Sequence, residues 1–248
     1  MAPGFKRRML NGVNKVLGLA GLEIDKKGGS FQDYIPFKIT QKFAQESGLS
    51  LSDYIDTNYN VPGVTQETID KLVALGALSK QAKIICEIGP GSGRYLERVK
   101  RVCEPERYEI YETSKSWRNW LVETYNVVAL PSDGATLSGT PSKSVDLVHT
   151  HKVLYGNPVI TIFRYLMEMA RVVKDDGYIV FDLVTEECLT EEILDRWIQS
   201  GATHACGMTP KQYALDFFKT RGFEYVGGFI VPMAPGVTEY FIFRRCKS

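Results

Sequence analysis

The chain has 248 residues, 44% of them hydrophobic and 24% charged, with 30 basic against 29 acidic side chains for a net charge of +1. This suits a packed globular protein of one large or two small domains, and so balanced a charge provides no global field for a polyanion, so no nucleic-acid partner is expected. Cys86, Cys103, Cys188, Cys206 and Cys246 are scattered, with no CxxC pair and no histidine cluster, which excludes a zinc site and fits reduced thiols in a cytoplasmic protein.

Residues 5–24 carry Met9, Leu10, Val13, Val16, Leu17 and Leu22 at helical spacing beside Lys6, Arg7, Arg8 and Lys15. Such a helix packs on the domain body, the reading preferred here, or associates with a membrane surface or a partner. No apolar run approaches the roughly 20 residues of a membrane span, and the basic start lacks the apolar stretch of a signal peptide. A helix is expected at 65–75. Residues 1–82 read as a helical N-terminal cap and substrate lid, and residues 83–248 as the core.

From Lys83 onward, short β-rich apolar runs alternate with helical stretches. Strands are expected at 84–88, 108–112, 127–130, 145–149, 178–183, 225–231 and 239–244, and helices at 94–102, 117–125, 160–173, 191–200 and 210–221. Thr209 before Pro210 reads as a helix cap, and Gly177, Gly201 and Gly222 as helix stops. Only Pro232 to Gly236 joins the last two strands, too short for a crossover helix, so they must form a hairpin. The expected fold is α/β: a Rossmann-like, doubly wound, seven-stranded and mostly parallel sheet with an antiparallel C-terminal hairpin strand and a helical N-terminal cap.

The first strand runs into Gly89-Pro90-Gly91-Ser92-Gly93 and then a helix. Glycine lets the backbone turn sharply and approach a ligand, and the helix start offers free N–H groups to a carboxylate such as that of an amino-acid moiety. The dinucleotide pattern GxGxxG fails because its last position falls on Arg94, and Arg94-Tyr95 does not supply the Lys-Ser/Thr of a phosphate loop. Glu112, ending the second strand, can accept both hydroxyls of a ribose at the same crevice; otherwise it is a solvated strand-end residue. Asp133-Gly134 after the third strand can receive an adenine amine and leave room for its ring, or form a plain surface turn.

Together these features resemble the class I S-adenosylmethionine (SAM)-dependent methyltransferases. Glu87 to Gly93 is similar to that family's first motif, Glu112 to its ribose-binding acid and Asp133 to its adenine-binding acid. The run from Leu166 to Gly177 is similar to the helix and turn before the fifth strand, with Asp175-Asp176 where the family has Pro-Gly. The resemblance covers residues 84–244 and implies SAM as cofactor and S-adenosyl-L-homocysteine (SAH) as product. It implies cofactor contacts from Glu87, Gly89, Pro90, Gly91, Gly93, Glu112, Asp133, Gly134 and His149.

The fourth strand ends His149-Thr150-His151, which places both imidazoles on one face if the strand continues. An imidazole with its reference pKa of about 6.5 is suited to taking an acceptor's proton, so His151 is the expected general base, with His149 lining the cofactor or sharing that task. Asp182 would orient a histidine, bind the acceptor or make a strand-end hydrogen bond. Tyr34, Tyr54, Tyr59, Tyr155 and His204 are candidates for contact with the acceptor, although packing suffices for each. Residues 14–24 resemble leaders on bacterial glycan-biosynthesis methyltransferases, which points to a saccharide or other small-molecule hydroxyl as acceptor, with no metal. The alternatives are N- or C-methylation of a small molecule, or a SAM-binding scaffold without catalysis. The sequence leaves room for a homodimer.

Overall fold

A computed structural model describes residues 35–200 and 207–247. The expected helix at 5–24, Tyr34, Gly201 and His204 lie outside the described residues.

Three helices come first: α1 (Phe37–Glu46), α2 (Leu51–Tyr59) and α3 (Val64–Ala74). Ser50 caps α2, its hydroxyl oxygen accepting from Asp53 N–H at 3.1 Å. The alternating pattern then unfolds in order: β1 (Ile84–Ile88), α4 (Arg94–Cys103), β2 (Arg107–Tyr111), α5 (Lys115–Tyr125), β3 (Val128–Ala129), β4 (Val145–Thr150), α6 (Val159–Val172) and β5 (Val173–Leu183). After β5 come α7 (Glu191–Gln199), α8 (Lys211–Lys219), β6 (Phe223–Met233) and β7 (Gly236–Arg245).

The seven strands form one sheet in the order β3-β2-β1-β4-β5-β7-β6, with β7 antiparallel to both of its neighbours and the other pairs parallel. This is the expected α/β architecture. Both faces are covered, as a parallel sheet requires. Cys86, Ile88, Val148, Ile179, Phe181 and Phe243 pack on one face with α6 and α8. Ile85, Leu147, Val180 and Ile242 pack on the other with α3 and α4, so Val64, Ile69 and Leu72, from within the expected cap, share the sheet's core.

Two expected helix boundaries need correction. Gly177 does not stop α6, which ends at Val172 and passes directly into β5. The turn residues become a bulge instead: the register jumps from Val145↔Val173 to Leu147↔Tyr178, with Asp176 at φ 64°. A Cβ on Gly177 would meet the Asp146 carbonyl oxygen at 2.9 Å, so the glycine serves close packing of the bulge against β4. Thr209 does not cap α8 through its side chain, because its N–H is drawn to Val184 O at 2.9 Å and its buried hydroxyl finds no hydrogen-bond partner.

Candidate cofactor and acceptor site

The carboxyl ends of the parallel strands meet where β1 runs into the glycine loop. Gly89, Gly91 and Gly93 all have positive φ, at 65°, 53° and 73°. A Cβ on Gly89 would lie 2.6 Å from Val153 Cγ2, and one on Gly93 2.8 Å from the Tyr125 ring, so these two let the loop close against its neighbours. Gly91 differs, since a Cβ there would meet nothing within 4 Å. The bare middle of the loop faces open space, and buried Pro90 holds the bend through its carbonyl, which accepts from Gly93 N–H at 2.8 Å.

Glu112 stands just past β2 and reaches that loop. Its Oε2 accepts from Gly91 N–H at 3.0 Å and its Oε1 from Ser114 N–H at 2.8 Å. Burial raises its pKa, and the backbone donors of Ser114, Gly91 and Thr113 oppose the rise. Asp133 is exposed; it accepts from the N–H groups of Ala135 and Thr136 at 2.9 and 2.7 Å and from the Thr136 hydroxyl at 2.7 Å. Burial is the largest single influence and raises its pKa, but these bonds together outweigh it and lower the pKa. Both acids act on one group: the Tyr165 hydroxyl on α6, raised first by burial, is raised further by the charges of Asp133 and Glu112. Gly134 completes the approach, its Cβ position 3.8 Å from Thr113 Cγ2.

Beneath the loop, alternate side chains facing α4 link into a chain of hydrogen bonds. β4 does continue through Thr150, so His149 and His151 share a face, with ring centroids 5.0 Å apart. Glu87 Oε2 lies 2.7 Å from Tyr108 Oη, Tyr108 Oη 2.8 Å from His149 Nε2, and His149 Nδ1 2.9 Å from His151 Nε2. His151 Nδ1 lies 3.1 Å from Tyr240 Oη, which is 3.5 Å from Tyr95 Oη. His151 stacks on Tyr95 with centroids 3.9 Å apart and is only 6% exposed. Burial pushes the Glu87 carboxyl up to about 8 and the His149 imidazole down to about 3. His151 is lowered well below its ordinary value by burial, then by His149, Arg94 and Lys152. Both imidazoles are therefore neutral at pH 7, and both nitrogens of His151 are engaged within the protein.

Asp182 sits fully buried at the end of β5 and is partnered by Lys152. Its Oδ1 accepts from Lys152 N–H at 2.7 Å, and its Oδ2 is 3.6 Å from Lys152 Nζ. Its one hydrogen bond and its ion pair thus go to Lys152, Oδ2 accepting no hydrogen bond, and the orientation of the histidines is left to Tyr108 and Tyr240. Burial pushes the Lys152 ammonium down to about 8, against the pull of Asp182. Lys152, Tyr108, Tyr165 and Tyr240 were not singled out by sequence reasoning, and only Lys152, beside His151, carried a local signal. Tyr54 belongs to a cluster with Ala44, Leu51 and Trp117, as packing alone requires. Tyr59 is partly exposed, and Tyr155 packs beside Val184, Cys188 and Met233. Among the described residues, no three potential ligands converge on a metal position, and no helix is long and apolar enough to cross a membrane.

A family profile described as a methyltransferase domain matches residues 61–227. Among solved structures, the chain is similar to an O-methyltransferase family protein from Burkholderia thailandensis, with 13% identity, 99% of this chain and 72% of that chain covered, and a TM-score of 0.59. It is also similar to the magnesium protoporphyrin IX methyltransferase of Synechocystis with bound SAH, at 14% identity, 84% and 99% coverage and a TM-score of 0.58. A third is the N-methyltransferase NodS of Bradyrhizobium japonicum, at 15% identity, 77% and 99% coverage and a TM-score of 0.55. At these identities the likeness is one of fold. Among curated proteins, none matches this sequence.

Proposed function

The chain belongs to the methyltransferase-domain family, and on that premise we propose that it methylates a hydroxyl of a saccharide or another small metabolite. S-adenosylmethionine is the cofactor, and SAH the product. When bound, it supplies a sulfonium-activated methyl carbon open to in-line displacement, so the protein's work is positioning and proton management.

The residues present fit that molecule. The open ground over Gly91, framed by Gly89, Pro90 and Gly93, takes the amino-acid end, with Glu87 below it. Glu112 spends one lone pair of each carboxylate oxygen on backbone N–H groups and keeps the others for the two ribose hydroxyls. Asp133, exposed and held in place by Ala135 and Thr136, receives the adenine amine, with Gly134 leaving room for the ring. His149 lines the cofactor side from β4. The observation that carries the reading is the bond from Gly91 N–H to Glu112, which joins the expected amino-acid and ribose subsites in one unit.

His151, at the carboxyl end of β4, is the group assigned to receive the acceptor's proton, and Asp182 positions Lys152 beside it. Within the expected cap, α1 and α2 serve as the acceptor-side lid, a reading supported by the contact of α2 with the loop: Ser52 Oγ donates to Ser92 O at 3.0 Å. A second reading, a small-molecule N-methyltransferase, is favoured by the engagement of both His151 nitrogens, because a neutral amine attacks without a base. Calorimetry with SAM and SAH tests the cofactor site, and absence of binding by both would defeat it. Product analysis on matched hydroxyl and amine acceptors then decides between the readings, with methyl ether formation expected.

A further inference from the structure

The hydrogen bonds from Glu87 to Tyr240 can run in two directions, and each direction is complete. With Glu87 ionised, Tyr108 donates to Glu87 Oε2, His149 Nε2–H to Tyr108, His151 Nε2–H to His149 Nδ1, and Tyr240 to His151 Nδ1. With a proton on Glu87 Oε2 every bond reverses: Glu87 donates to Tyr108, Tyr108 to His149 Nε2, His149 Nδ1–H to His151 Nε2, His151 Nδ1–H to Tyr240, and Tyr240 to Tyr95. The two states differ by one proton, and both histidines change tautomer together. Every member is buried, so bulk water does not short-circuit the path.

We infer that the chain Glu87–Tyr108–His149–His151–Tyr240 is a proton conduit that carries the acceptor's proton from the end of β4 to the carboxylate beneath the glycine loop. The inference rests on the methyltransferase reading with a hydroxyl acceptor. As the acceptor oxygen gains the methyl carbon, the sulfur keeps the bonding pair and the hydroxyl proton is taken up for His151 by way of the Tyr240 hydroxyl bonded to its Nδ1. Tyr240 passes its proton to His151 Nδ1, His151 passes its Nε2 proton to His149 Nδ1, His149 its own to Tyr108, and Tyr108 its own to Glu87. One positive charge is lost at sulfur and one negative charge at Glu87, so the buried site stays neutral and no ion is left in a medium of low dielectric. The role of His151 in proton uptake thereby needs no cationic imidazole, which its surroundings oppose.

The groups facing the conduit are Glu112 and Arg94 at Glu87, Cys86 and Cys103 at Tyr108, Arg94 and Lys152 at His151, and Asp182, Arg94 and Tyr95 at Tyr240, whose ring also lies under the Lys152 ammonium. Arg94 is itself tied to Asp56 at 3.0 Å, and Lys152 to Asp182.

Nitrogen-15 NMR of the two histidines in the intact protein tests the inference. Without ligand, both should change from the Nδ1–H to the Nε2–H tautomer as pH rises through about 8, the value to which Glu87 is raised. Glu87→Gln should abolish the change, and Tyr108→Phe should uncouple the histidines from pH. SAM should move the midpoint to lower pH than SAH does, because only SAM carries the sulfonium charge. Tautomers that ignore pH in the native protein, or that still switch in either variant, would overturn the conduit. So would equal midpoints with SAM and SAH bound. Failure of both ligands to bind would instead defeat the cofactor reading, while the ligand-free titration still judges the chain.

Discussion

Replacing Glu87 with Gln should remove a fall in folding stability expected of the native protein between about pH 6.5 and 8. Burial lifts the Glu87 carboxyl from 4.5 to about 8, so over this interval the folded chain holds a proton that the unfolded chain has released. Stability therefore drops as pH rises, by about 1.4 kcal/mol per pH unit. Below pH 6.5 His149 opposes the trend: lowered from 6.5 to about 3 by burial, it makes the unfolded chain the better proton binder. Above pH 8 Lys152, lowered from 10.5 to about 8 by burial, also gives stability that rises with pH. Glu87 thus dominates over about 1.5 pH units, worth roughly 2 kcal/mol. Glu112 acts in the same direction as Glu87 but is present in both proteins, so the difference between the two isolates Glu87. Urea unfolding followed by tryptophan fluorescence at several pH values across this window provides the measurement. A Glu87→Gln curve as steep as the native one would refute the reasoning.

Two glycines of the loop give a contrast. Gly89→Ala drives a Cβ into Val153 and should melt at a lower temperature than Gly91→Ala, whose Cβ meets open space and adds only the left-handed backbone cost of about 1–2 kcal/mol; the reverse order in thermal scans would contradict the assignment. Glu112→Gln should weaken SAM binding about 10- to 100-fold by calorimetry, the effect of losing about 1.5–3 kcal/mol in hydrogen bonds to a charged acceptor, with unchanged circular dichroism. His151→Gln should lower turnover strongly while leaving SAM affinity nearly intact; full turnover would remove His151 from the chemistry.

The strand and helix order was legible because hydrophobic period and glycine placement are local signals. Ile84–Ile88 is observed as expected, and the loop after it is spelled by residues that alone tolerate its backbone. Glu112 was legible as the acid at a strand's carboxyl end beside that loop. The conduit was not, because it crosses β2, β1, β4 and β7, and its contacts depend on the lateral order of strands far apart in sequence: Glu87 pairs with His149 in register, and Asp182 with Tyr240. The Asp175-Asp176-Gly177 stretch misled for a related reason, since good turn chemistry also makes a bulge when a neighbouring strand captures both flanks. The helix α2 had a readable start in Ser50-Leu51-Ser52-Asp53, a cap followed three positions later by an acid, that went unread.

One feature of α2 bears on the energetics of occupancy. Asp56 accepts from Arg94 at 3.0 Å and Arg98 at 2.9 Å, while Ser52 holds the carbonyl of Ser92. The bend is riveted from above before any small molecule arrives, so the conformational entropy of ordering it is surrendered during folding and not at the moment of association. Affinity at this loop then depends on the integrity of a helix that braces the bend through Ser52 and Asp56: loosening α2 reintroduces that entropy and weakens binding.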